Sequence, residues 1–126
     1  MTSLSDMYKH VKIIYKFNKE DNMSDFTEVS INRAANVYFD GKVVSRTITF
    51  KDGSFKTLGV MQAGDYNFGT KEAELMEITA GDCEILLAGA SEWLTIKGGE
   101  SFNVDANSSF DIKAKTIIDY CCTYID

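Results

Sequence analysis

The chain has 126 residues, 44% hydrophobic and 25% charged, with a net charge of −6 at pH 7 and a pI near 4.7. That length suits one domain, large enough for a core without metal or disulfide staples, and the composition is globular. The longest uncharged apolar stretch, residues 85–91, falls far short of the ~20 needed to cross a bilayer, and an acidic chain gains nothing from counterion release on nucleic acid, so neither a membrane nor a nucleic acid is an expected partner.

The first 40 residues contain no glycine, and all nine glycines lie between Gly41 and Gly99. Residues 1–22 carry four lysines against three acids, although the chain as a whole is acidic. Within them Val11, Ile13, Tyr15 and Phe17 alternate with Lys12 and Lys16, the pattern of one amphipathic strand. Lysines interrupt the apolar positions and no small-residue cleavage site follows, so this is not a signal peptide. Two readings stand: an added edge strand, or an extension upstream of a start at Met23. The expected organisation is therefore an extension over 1–22 and one domain over 23–126.

From residue 42 the chain reads as short strands broken by turn signals. The expected strands cover 42–50, 55–61, 66–68, 74–79, 83–87, 93–96, 101–104, 109–113 and 116–125. Asp52-Gly53 between the first two is a hairpin signal. Spacing of this kind, with β-branched and aromatic residues in the runs, predicts an all-β barrel or sandwich. The one helix candidate, 71–76, is too short to stand alone. Three cysteines, Cys83, Cys121 and Cys122, form an odd set with two adjacent members. That is no disulfide framework, and a cytoplasmic location is expected.

The only histidine is His10, in the extension. The main domain therefore lacks Ser/His/Asp and Cys/His nucleophile pairs and histidine-based zinc or iron sites, and no metal is expected. What remains is carboxylates, hydroxyls and aromatics on strands. The period of two puts Glu74, Met76 and Ile78 on one face. If that face is inward, Glu74 is a buried carboxylate, which is costly without a role; if Leu75 faces inward, Glu74 is solvated. Tyr66, Phe68, Phe102, Phe110, Tyr120 and Tyr124 recur on consecutive strands. Each alone suits core packing; together they suit a pocket for a flat ring.

The run from Gly64 through Glu74 to Gly81 resembles the first cupin motif, with the glutamate seven positions before the glycine. Gly99 to Asp105, Asn107 and Phe110 follow the second. The metal histidines of that motif pair would fall near Asn67–Thr70 and at Phe110, and none is present. More narrowly, Tyr38-Phe39-Asp40-Gly41-Lys42-Val43, Gly59-Val60-Met61, Gly64-Asp65-Tyr66-Asn67-Phe68, Gly99-Glu100-Ser101-Phe102-Asn103-Val104 and Tyr120-Cys121-Cys122-Thr123-Tyr124 resemble the small bacterial pyrimidine/purine nucleoside phosphorylase family. The resemblance covers residues 36–126. It implies a single-domain, metal-free cupin barrel of the jelly-roll type. It also implies a homodimer that cleaves many nucleosides with phosphate to free base and ribose 1-phosphate, reversibly and without a cofactor: a pentosyl-transferring glycosyltransferase.

The resemblance carries no residue roles; the chemistry suggests them. Phosphate attacks C1′ through a transition state with oxocarbenium character, so Glu74 is the expected catalytic carboxylate, gripping the ribose hydroxyls and favouring the developing cation. Tyr66, Phe68, Thr70, Met76, Phe110 and Tyr120 are expected to bind substrate, the four aromatic residues by stacking, which tolerates any base. Lys42 and Lys71 are the expected phosphate contacts, with Thr70 beside them. A second copy of the chain is expected to bury part of an apolar set comprising Ile117, Ile118, Ile125, Trp93 and Leu94; the alternative is that these residues pack inside the protomer. The alternative is a non-catalytic metal-free cupin that binds a small sugar or acid.

Overall fold

The computed structural model describes residues 25–125; the 1–22 extension, with its expected strand over 11–17, lies outside them. The strands among the described residues are β1 (Ser30–Ile31), β2 (Asn36–Tyr38), β3 (Val43–Thr49), β4 (Phe55–Met61), β5 (Gly64–Gly69), β6 (Ala73–Ala80), β7 (Asp82–Leu87), β8 (Leu94–Lys97), β9 (Glu100–Val104), β10 (Ser109–Ala114) and β11 (Ile118–Ile125). All nine expected strands are present, with ends shifted by at most two residues, and the 71–76 helix candidate is a bend at 71–72 followed by the start of β6. The Asp52-Gly53 turn closes β3 onto β4: Phe50 N–H donates to Ser54 O at 2.9 Å, and Gly53 takes φ +90°.

Two short strands were not foreseen. β1 and β2 both pair along the same edge of β3, at Thr49/Ile48 and at Ser45 to Val43. Between them Asn32 N–H donates to Thr47 O at 3.1 Å, and the Arg46 guanidinium donates to the Arg33 carbonyl. These segments carry no alternation of their own. They are strands because β3 offers unpaired backbone groups that need partners.

The strands form a seven-stranded sheet, ordered β1-β3-β4-β11-β6-β9 with β2 also on β3, and a four-stranded sheet, β5-β10-β7-β8; every pairing is antiparallel. The expected all-β fold is present, and among the described residues its strands lie in two sheets that no ladder joins. Consecutive strands β8 and β9 turn at Gly98-Gly99 and part, one into each sheet. Large side chains fill the space between: Phe102, Phe110, Met61, Ile78, Ile85 and Ile112 are all at most 2% exposed. Filled in this way, facing sheets stand about 10 Å apart, too far for their edges to bond.

The inner face of the large sheet grades from dry to polar along its strands. Val43, Met61 and Ile118 pair in register and are fully buried. The next rung holds Ser45, Gly59 and Tyr120, the next Thr57, Cys122 and Met76, and Glu74 pairs with Tyr124 beyond that. This gradient creates the site.

Candidate functional site

A cavity of about 170 Å³ lies between the sheets. The large sheet contributes Tyr38, Ser45, Thr57, Met61, Glu74, Met76, Tyr120, Cys122 and Tyr124; the small sheet contributes Phe68, Gly69 and Phe110. Phe68 and Phe110 stack at 5.5 Å with 27° between their planes, and Phe102 meets Phe110 edge-on at 5.3 Å. The wall on one side is aromatic; the opposite wall carries the polar groups.

Those groups form two hydrogen-bonded sets. In one, Cys122 bonds to Glu74 and to Tyr124, which also bonds to Thr57. In the other, Tyr120 bonds to Ser45, and the Asn36 amide donates to Ser45 Oγ at 3.2 Å and to Thr47 Oγ1 at 3.4 Å. Burial raises the pKa of Glu74; the bond from Cys122 opposes that shift and the charge of Glu72 adds to it. Burial also pushes Tyr124 up to about 12, and raises Tyr120 and Cys122 further. Tyr120, Tyr124 and Cys122 are therefore neutral at physiological pH, and Glu74 is the one carboxyl group among the lining residues.

The structure gathers Glu74, Phe68, Met76, Phe110 and Tyr120 around this cavity. Glu74, Met76 and Ile78 do share the inner face of β6, with Met76 4% and Ile78 0% exposed. Tyr66 is placed elsewhere: its hydroxyl donates to Gln62 O at 2.7 Å and its ring supports Phe39 at 5.0 Å. Thr70 is also outside; its hydroxyl donates to Asp105 O at 2.6 Å and accepts from Ser108 N–H at 2.9 Å, fastening the β9–β10 turn. Lys42 and Lys71 are exposed and do not line the cavity. Lys42 follows the turn Phe39–Gly41, and Lys71 lies two residues beyond Gly69. No cation lines the cavity among the described residues.

Tyr124, one of the aromatics expected to form a ring pocket, also lines the cavity; Tyr38, Ser45, Thr57, Met61, Gly69 and Cys122 complete the lining and were not assigned from sequence. The available signal was a polar residue in phase with buried apolar ones: Ser45 with Val43, Thr57 with Met61, Cys122 with Tyr120. A cupin metal has no matching donors here. The cavity offers only Glu74 and Cys122, and among the described residues no three His, Cys, Asp or Glu side chains gather.

The model of the pyrimidine/purine nucleoside phosphorylase family matches residues 33–124, a span that includes every residue lining this cavity. The chain belongs to that family. A pyrimidine/purine nucleoside phosphorylase from Colwellia psychrerythraea is 70% identical over 103 residues, covering 82% of this chain and 99% of that one. Another, from Hydrogenovibrio crunogenus, is 58% identical over 104 residues, covering 82% and 100%. Among solved structures, a protein of unknown function from Acinetobacter sp. ADP1 superposes with a TM-score of 0.78 at 37% identity, covering 80% of this chain and 98% of that one. An RmlC-like cupin from Shewanella frigidimarina reaches 0.59 at 14% identity, covering 79% and 86%. That likeness shows the cupin fold for this phosphorylase-family chain.

Proposed function

We propose that the chain is a nucleoside phosphorylase of broad base tolerance, a pentosyl-transferring enzyme acting on purine and pyrimidine nucleosides in the cytoplasm. One observation carries the reading: in a member of this family, a carboxylate, Glu74, and the hydroxyls of Thr57, Ser45 and the tyrosines face the stacked rings Phe68 and Phe110 across one small cavity. A nucleoside is a polyol joined to a flat ring: the polar wall complements the polyol, and the aromatic side chains around the cavity offer apolar faces to the rest.

Ionised Glu74 accepts hydrogen bonds from ribose hydroxyls, and its charge favours the cationic character that C1′ gains. A phosphate oxygen forms the new bond to C1′, the glycosidic C–N bond breaks with its electron pair leaving on the base, and the base nitrogen takes up a proton. The products are free base and ribose 1-phosphate, and the same groups serve the reverse reaction. Phosphate meets no cation inside the cavity. Lys42 and Lys71, both exposed and outside the lining, remain the proposed phosphate contacts. The reaction needs no resident metal, because phosphate is itself the nucleophile.

The active form is proposed to be a homodimer, through a surface other than the expected apolar set. That set splits. Ile118 is fully buried, Leu94 packs on the core, and Lys113 Nζ covers the Trp93 ring at 4.2 Å; Ile117 and Ile125 are exposed near opposite ends of β11. The outer face of the large sheet carries Val37, Val44 and Val60 in register, with Asp119 beside Val60, and Leu58 between Arg46 and Cys121. The outer face of the small sheet carries Asp65, Asn67, Asp111, Lys113 and Glu84. The exposed apolar residues of the large sheet, Val37, Leu58 and Val60, are the proposed contact, with Arg46 and Asp119 among them as charged partners.

Incubation with uridine and inorganic phosphate, after chelator treatment, tests the function. Uracil release that requires phosphate is the expected result. A ligand-induced rise in melting temperature without uracil release would identify the non-catalytic sugar-binding cupin instead.

A further inference from the structure

The cavity encloses about 170 Å³, below the roughly 300–1,000 Å³ of pockets that take in a whole small ligand. Part of a nucleoside must therefore lie outside. The enclosed polar groups match the sugar, which leaves the base toward the mouth. Among the lining aromatics, Phe68 and Phe110 stack on each other, Tyr124 packs on Phe55 at 5.3 Å, and the Tyr120 ring lies against Gly59. Tyr38 differs: it lines the cavity and is 46% exposed.

The backbone after Tyr38 is strained. Phe39, Asp40 and Gly41 take φ of +53°, +56° and +90°. A left-handed conformation is rare for any side chain but glycine and an outlier for a bulky one such as phenylalanine. It persists where surrounding structure over-determines it, and such strain clusters at functional sites. Here the determinant is visible: the Phe39 ring wedges onto Tyr66 at 5.0 Å and Phe68 at 5.4 Å. On the other side, Tyr38 is pinned to β3 by its pairing with Val43. The turn thus keys an exposed tyrosine to the aromatic wall of the cavity.

We infer that Tyr38 is the platform on which the base stacks at the cavity mouth, held there by the Phe39–Gly41 turn. The inference rests on the nucleoside reading of the site. It also explains base tolerance: a base held outside the enclosed volume is gripped by its π-face, which all bases share, and its edge pattern goes unread.

The reverse reaction separates the two halves of the substrate, so the test measures binding of free adenine, free uracil and ribose 1-phosphate by calorimetry, beside turnover. Tyr38→Leu keeps bulk and removes the π-face. The expected result is about 5- to 100-fold weaker binding of both bases, the range for one lost base–aromatic stack, with ribose 1-phosphate binding unchanged. Unchanged base affinity would overturn the inference, and so would equal losses for base and sugar phosphate. Tyr38→Trp in a Trp93→Phe background gives a second measurement: base binding should quench the new indole and ribose 1-phosphate should not, and absence of quenching by bound base would also overturn it. A wild-type protein that binds bases through Tyr38 yet releases no uracil from uridine and phosphate would instead sink the phosphorylase reading.

Discussion

Gly59 and Tyr120 face each other across the β4–β11 ladder, so closely that a Cβ on Gly59 would stand 2.5 Å from both Cζ and the hydroxyl of Tyr120. The missing side chain is what lets the ring lie flat on β4 and bring its hydroxyl to Ser45 in the cavity wall. Gly59→Ala must displace the ring, at the ~1–3 kcal/mol typical of overpacking. The expected outcome is a lower melting temperature and at least about a tenfold loss of kcat/KM. Adding Tyr120→Leu should restore stability without restoring activity; stability losses that simply add would show that the two residues are not coupled.

Glu74→Gln keeps size and removes charge. If ionised Glu74 favours the oxocarbenium-like state, kcat should fall at least about tenfold, equivalent to ~1.4 kcal/mol. The stability effect has the opposite sign. Burial raises this carboxyl above its ordinary 4.5, so the folded state holds the proton more tightly than the unfolded one. Its stabilising contribution is thus present below 4.5 and is lost as pH rises through the raised folded value. At pH 7 the glutamine variant should melt no lower than wild type. Unaltered phosphorolysis would assign Glu74 to the scaffold.

The rate should carry the same titration. Activity that needs the carboxylate rises with pH through the raised Glu74 value, and measuring Glu74→Gln alongside removes the contribution of phosphate's own ionisation. A wild-type profile that parallels the variant's across the acid limb would contradict a catalytic charge at this position.

Burial holds the Cys83 thiol at about 12 and the Cys121 thiol at about 11, and raises Cys122 further. Nucleophilic thiolate is therefore scarce at neutral pH. A colorimetric thiol titration of native protein at pH 7.5 should react slowly, and denatured protein should yield three equivalents per chain. Rapid labelling of one thiol in the native protein would show that the cavity or the outer sheet face opens.

The exposed Val37, Leu58 and Val60 on the outer face of the large sheet are the proposed dimer contact. Sedimentation at micromolar concentration should show a species of twice 14.1 kDa, with an interface hiding at least about 1,200 Å². Val60 is 47% exposed in the protomer, so Val60→Lys should break the dimer while leaving the core intact. A wild-type protein that sediments as a single chain would remove the dimer.

The strands from β3 to β11 were legible because each is a short run of β-branched and aromatic residues between glycine-bearing turns, and both properties are local. Glu74 was legible for the same reason: alternation along β6 put it in phase with Met76 and Ile78. β1 and β2 were not, since nothing in residues 30–38 alternates and only the free edge of β3 makes them strands. Lys42 was chosen because it sits in a segment that carries the family resemblance, Thr70 and Lys71 because they flank Gly69, and Tyr66 for its aromatic ring. Nearness along a strand says nothing about which face or end of the sheet a side chain reaches.

Composition and periodicity by themselves determined an all-β domain without a histidine-based metal site and with Glu74 in phase with Met76 and Ile78, because these follow from residue type and from the two-residue repeat. Tertiary structure alone decided that this face of β6 is the inner one, that the strands divide between two sheets, that Ser45, Thr57 and Cys122 join Glu74 around one cavity, and that Tyr38 stands at its mouth. Each of these depends on register between strands distant in sequence and on the volume of core side chains between sheets. No local pattern encodes either quantity.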